Sequence, residues 1–247
     1  MFNWSKGDAM ILPVALITII ICAVILRVIL KKKGEKWRRL PLRILAVFIV
    51  LLEVAKQIYY NTYEPFTLYV LPLHFCSTFI WLIPLAQFTK GKANEFFRPM
   101  PFCYSIVVIL LMYAFPRVLL GNATSAVFAN FHNVHTFLYH HAIVAYFIFS
   151  LLLNDYKPQK GDYVPLVAGV AFYTAYAVPI AYALDVNYVN ILKSDFAPFE
   201  QLRLAAGQVV YNIVLFLFAV AAILCIWLVY YKLYNVVNKR RKPSETK

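Results

Sequence analysis

Residues 10–30 read MILPVALITIIICAVILRVIL, and Lys31-Lys32-Lys33 follow directly. A helix needs about 20 mostly apolar residues to cross the hydrocarbon of a bilayer. This stretch supplies them with one charge, Arg27, close enough to the end to snorkel to the headgroups. A membrane strand would be about half as long and would alternate apolar with polar residues; here the apolar run is continuous. A cleaved leader would need a basic segment in front and a small-residue cleavage site behind. The stretch has Lys6 offset by Asp8 in front and a basic stop behind, so it reads as a retained membrane helix.

Working outward, comparable runs occur at 42–60, 67–88, 100–115, 131–153, 164–184 and 207–231. The spacing predicts an all-α polytopic bundle of seven transmembrane helices, forming a single integral membrane domain over residues 1–247 with short linkers. Composition agrees: 62% of the chain is hydrophobic and its mean hydropathy is +0.68, which excludes an ordinary soluble domain. The four cysteines, Cys22, Cys76, Cys103 and Cys225, are scattered through the apolar runs without a CxxC. Neither a disulfide framework nor a metal site is expected.

The formal net charge of +13 would suit nucleic acid if the basic residues shared one solvated face, but their positions argue otherwise. Of 24 Lys and Arg residues, 18 follow the first, third, fifth and seventh spans, counting Arg43 at the very start of the second with the linker before it. Four lie in the N-terminus or after the second, fourth and sixth, and Arg27 and Lys56 lie inside spans. This bias predicts an outside N-terminus and a cytoplasmic C-terminus. The clusters from Lys31 to Arg43 and from Lys239 to Lys242 then face anionic headgroups of a cell membrane, and no nucleic-acid partner is expected. Two N-glycosylation patterns, Asn3-Trp4-Ser5 and Asn122-Ala123-Thr124, are too short to carry an argument.

Ionisable groups at membrane depth are costly and mark functional sites. At 1.5 Å per residue, His74 and Cys76 lie roughly 10–14 Å from the outer surface, His140 and His141 roughly 13–15 Å, and Glu53 and Lys56 roughly 6–11 Å. These six share the outer half of the bilayer; His132 and His135 lie above them, where hydration and a positional part are expected. Pro72 and Pro84 should each open or kink the third helix. On a regular helix His74 and Cys76 point to opposite sides, and His140 and His141 diverge by about 100°. Glu53 and Lys56, three apart, can pair along one helix face. The tyrosine-rich sixth span suits packing or a polar lining equally. The long outer loop 185–206 can fold back as a lid.

Glu53-x-x-Lys56, the string Leu71-Pro72-Leu73-His74-Phe75-Cys76-Ser77, the histidine-bearing fifth span and Asn187-Tyr188…Leu192 together resemble the YwaF-like bacterial integral membrane proteins. That group is similar to the eukaryotic transmembrane protein 164 family. The resemblance covers residues from about Leu42 to Tyr231. It implies a seven-helix bundle and, for the eukaryotic branch, phospholipid acyl transfer through a thiol. The family's cysteine corresponds to Cys76 and its histidine to His140, with His141 standing where the family has a smaller residue.

The expected function is therefore thiol-dependent acyl transfer or acyl hydrolysis on phospholipid acyl chains. Cys76 attacks the ester and His140 or His141 serves as base. His74, Ser77 or freed backbone donors stabilise the oxyanion. Glu53, Lys56, Asn187 and Tyr188 are expected on the substrate side, with no cofactor. Two other classes stay open: a proton-coupled transporter or channel using the same polar groups, and a haem protein ligated by histidines on facing helices.

Overall fold

The computed structural model describes residues 5–121, 124 and 126–240, with side chains through residue 237. Asn3, Asn122 and the basic residues Arg241 and Lys242 lie outside them. Every regular element among the described residues is helical. Five segments are long and apolar enough to cross a membrane: Lys6–Leu30, Gly91–Ala114, Phe131–Leu152, Lys160–Leu184 and Gln208–Val237. The packing divides into two compact units, Met1–Pro65 with Phe79–Tyr156, and Phe66–Thr78 with Lys157–Lys247.

The first unit holds α1 (Lys6–Leu30), α2 (Glu35–Thr62), α3 (Phe79–Phe88), α4 (Gly91–Phe97), α5 (Pro99–Ala114), α6 (Pro116–Leu120) and α7 (Phe131–Leu152). Helix α7 is central, with α1, α2 and α5 each packed along it, and its stretch from Tyr139 to Tyr146 is buried throughout. Leu12 of α1, Met112 of α5, Leu120 of α6 and Val144 of α7 form one cluster. Helix α2 is long enough to span but carries charge, and its period explains where that charge goes. Leu42, Ala46, Ile49 and Glu53 are its buried residues, spaced as one helix face. Glu53 is thus carried inward by the stripe that packs α2 on α3 and α7.

The second unit holds α8 (Tyr163–Leu184), α9 (Ala197–Ala206) and α10 (Gln208–Arg240), with α10 packed on α8 and α9. Leu166, Val170, Tyr173, Ala177 and Ala181 are buried along one face of α8. The loop expected as a lid is partly ordered: it contains a 3-10 turn at Tyr188–Asn190 and then α9.

The third span differs from expectation. Residues 67–88 do not form one kinked helix; α3 begins only at Phe79, after 3-10 turns at Leu68–Val70 and Phe75–Thr78. Pro72 explains the break, because a proline excludes the helical conformation from the residue before it. Leu71 indeed has ψ 145°. Pro84, by contrast, sits inside a continuous α3. The expectation that His74 and Cys76 point to opposite sides of one α-helix lapses, since His74 precedes the helical stretch and Cys76 lies in its 3-10 first turn.

Candidate functional site

In the first unit, polar groups gather where α2 meets α7. Lys56 Nζ lies 2.8 Å from Glu53 Oε1, and Gln57 Nε2 donates to the same oxygen at 2.7 Å. Lys56 is an electrostatic neighbour of His132 and His135, and His140 of His135. The Tyr60 hydroxyl and His132 Nδ1 are hydrogen-bonded at 2.8 Å. The structure therefore brings Glu53 and Lys56 beside His132 and His135, the two histidines that the depth argument had placed above them. His132 is exposed as expected; His135 is not, being 7% exposed and stacked on Tyr139.

His140 and His141 are both buried and make the same ring hydrogen bond, each to the carbonyl four residues earlier. His140 Nδ1 lies 2.8 Å from the Thr136 carbonyl oxygen and His141 Nδ1 2.8 Å from that of Phe137. A carbonyl oxygen only accepts, so Nδ1–H is the donor in each ring and Nε2 carries the basic lone pair. His141 Nε2 is buried and meets no donor among the described residues.

In the second unit, the irregular stretch 68–78 carries His74, Cys76 and Ser77. An unbroken helix would bond Leu68 O to the amide of residue 72, which proline lacks, and Leu73 O to the amide of Ser77. The Ser77 amide turns instead to His74 O at 2.9 Å. Two tyrosines reach these carbonyls: the Tyr188 hydroxyl donates to Leu68 O, which also accepts from the Leu71 amide at 3.2 Å, and that of Tyr173 to Leu73 O at 3.0 Å. One of the sixth-span tyrosines is thus part of the scaffold under the thiol segment.

His74 is held by rings on two sides, with centroids 4.5 Å from Tyr69 and 5.2 Å from Tyr188, both edge-on. Cys76 is half-buried, with Tyr69 and Tyr173 as electrostatic neighbours; Ser77 is buried. The Asn187 amide folds its own loop: Oδ1 accepts from the amides of Leu192 at 2.9 Å and Lys193 at 3.3 Å, and Nδ2 donates to Lys193 O at 3.1 Å.

Sequence reasoning missed a third cluster, at the opposite end of α7. Asp155 lies 2.8 Å from Arg98 and 3.4 Å from Arg39. Gln87 Nε2 donates to Asp155 at 3.2 Å and to the Tyr146 hydroxyl at 3.1 Å. Arg39 and Asn94 also donate to Ala86 O, and Arg43 to Gln87 O, closing the C-terminal end of α3. One signal existed: Gln87 is an amide inside an apolar run, and such a group needs partners. Asp8, read from the sequence only as an offset to Lys6, caps α1 with Ser5 and accepts from the Thr124 hydroxyl.

No curated protein and no solved structure shows a significant match to this chain. A family model does, and it takes in α1 to α9 and most of α10, including the broken third span with His74 and Cys76 and the histidines of α7. With residues 1–231 matched, the chain belongs to the TMEM164 family.

Proposed function

We propose that this membrane protein is an intramembrane thiol enzyme acting on phospholipid acyl chains, as transferase or hydrolase. The observation that carries the reading is the fixed tautomer of His140 and His141, each presenting a basic Nε2 on a buried helix. A thiol attacks as thiolate and needs such a base. Nε2 removes the Cys76 proton, and Sγ attacks the acyl carbonyl to form a C–S bond. As the ester C–O bond breaks, the imidazolium returns its proton to the departing alcohol. A lipid hydroxyl, or water, then attacks the thioester. Its proton passes through the imidazole to the released thiolate. His74, Ser77 or backbone amides of the broken segment stabilise the oxyanion, and Lys56 attracts the lipid phosphate. The basic linkers rest on anionic headgroups at the cytoplasmic side.

The test is Cys76→Ser, with Cys22→Ser and Cys103→Ser as controls, in protein reconstituted into vesicles. Mass spectrometry should detect acylated Cys76 in the wild type. Cys76→Ser should abolish lipid turnover while folding persists, and the controls should be silent. His140→Ala and His141→Ala should differ sharply, one losing about 10²-fold or more in rate as expected for a lost general base. Full turnover by Cys76→Ser would sink nucleophilic catalysis. It would favour a proton-relay transporter, the reading supported by the buried Glu53–Lys56 pair beside the α7 histidines.

A further inference from the structure

Val189 and Asn190 both have left-handed backbones, with φ of 51° and 60°. For a β-branched residue this is an outlier, and such strain persists only where the surroundings hold it. The surroundings are specific. The Asn187 side chain closes the loop behind it, the Tyr211 hydroxyl donates to Asn190 O, and Gln208 Nε2 donates to Ile191 O at 2.8 Å. Two side chains of α10 and one of the loop thus keep two consecutive non-glycine residues in an unfavoured conformation.

The result of that conformation is the placement of Tyr188. It is fully buried, its ring stands edge-on against His74, and its hydroxyl reaches Leu68 O, the carbonyl left without its helical partner by Pro72. Tyr188 therefore spans the thiol-bearing segment, touching backbone six residues before His74 and the imidazole itself. Tyr173 makes the parallel bond to Leu73 O, but its ring contacts Phe75 rather than His74. Both tyrosines support the segment, and Tyr188 also stands against the histidine, as Tyr69 does.

We propose that Tyr188 is a positioning residue of His74, held in place by the strained Val189–Asn190 turn, and that together with the nearer ring of Tyr69 it sets the orientation and exposure of the imidazole beside Cys76. The kinetic part rests on the acyl-transfer reading; the placement of His74 does not. Tyr188→Phe keeps the ring and drops the hydroxyl, Tyr188→Leu drops both, and Tyr173→Phe drops the equivalent bond without touching the His74 contact. The direct measurement is the rate at which diethyl pyrocarbonate modifies His74, read by peptide mass spectrometry on the full chain in lipid nanodiscs.

Tyr188→Leu should raise that rate about fivefold or more, while Tyr188→Phe and Tyr173→Phe stay within about twofold of the wild type. In the turnover assay Tyr188→Leu should lower kcat with KM nearly kept, and Tyr188→Phe should restore most of it. An unchanged His74 rate in folded Tyr188→Leu protein, or an equal rise in Tyr173→Phe, would overturn the assignment. If Tyr188→Leu does not fold, Tyr188→Met, which keeps the bulk without the ring, is read by the same criteria. If the wild type shows no acyl transfer, the enzyme reading fails while the modification rates still decide the role of Tyr188.

Discussion

Arg39 and Arg98 converge on Asp155, whose side chain is 2% exposed, so the carboxylate and its partners depend on one another. Removing one member of a buried ion group leaves uncompensated charge and costs about 3–5 kcal/mol, whereas replacing the whole group with apolar side chains of similar volume is often neutral. Asp155→Ala should therefore destabilise the protein by about 3–5 kcal/mol in denaturant unfolding in micelles. The triple change Arg39→Met, Arg98→Met, Asp155→Leu should recover most of that loss. A mild Asp155→Ala phenotype would mean that water reaches the cluster. Nothing in the sequence marked Asp155, because it and its two arginines come from three separate linkers and no spacing rule connects them. Glu53 and Lys56 were legible because both their depth and their pairing follow from the period of a single helix.

The broken third span shows where reading by element succeeds and where it stops. Pro72 announced a disturbance and named the carbonyl it would free; which side chain answers that carbonyl depends on Tyr188, more than a hundred residues away. The loop before α10 shows the same division. Its length was visible, but α9 and its Glu200–Arg203 pair, at 3.0 Å, were not. Glu200 also accepts from the Ser194 amide at 2.9 Å. The Arg203 hydrogen bond is the main cause, and the Ser194 amide the next, that lowers its pKa from 4.5 to about 2. A depressed carboxylate contributes stability that is fully present above its ordinary pKa and is lost as pH falls through the folded value. Protection of the Ser194 amide from hydrogen exchange, corrected for intrinsic rate, should be flat from pH 7 to about 5 and fall as pH drops from 4.5 towards 2. Glu200→Gln should remove this pH dependence; a wild-type transition centred near pH 4.5 would refute the coupling.

At the scale of the molecule, topology and packing can be compared within the first unit. Arg39, Arg98 and Asp155 come from the linkers after the first, third and fifth apolar runs, and they meet. Tyr60, at the exit of the second run, meets His132 at the entry of the fifth, and Asp8 meets Thr124. Segments assigned to one side by charge counting thus lie together, which supports the alternation; the 18-to-4 bias supplies its direction. Reporters fused at the C-terminus and near Lys92 should both read as cytoplasmic, and an external signal from either would refute the topology. In lipid no hydrophobic force drives helix against helix, and association rests on packing and polar contacts.

Helix α10 takes this to its limit. Of its described side chains only Tyr211 and Ile223 are buried. Its exposed positions, among them Val209, Ile213, Leu217, Val229 and Leu233, are constrained mainly by their affinity for hydrocarbon. Leu, Ile, Val and Phe are interchangeable there, so exchanges among them should leave the fold unchanged. Tyr211, buried and fastened by its hydroxyl to the strained turn, has no such freedom.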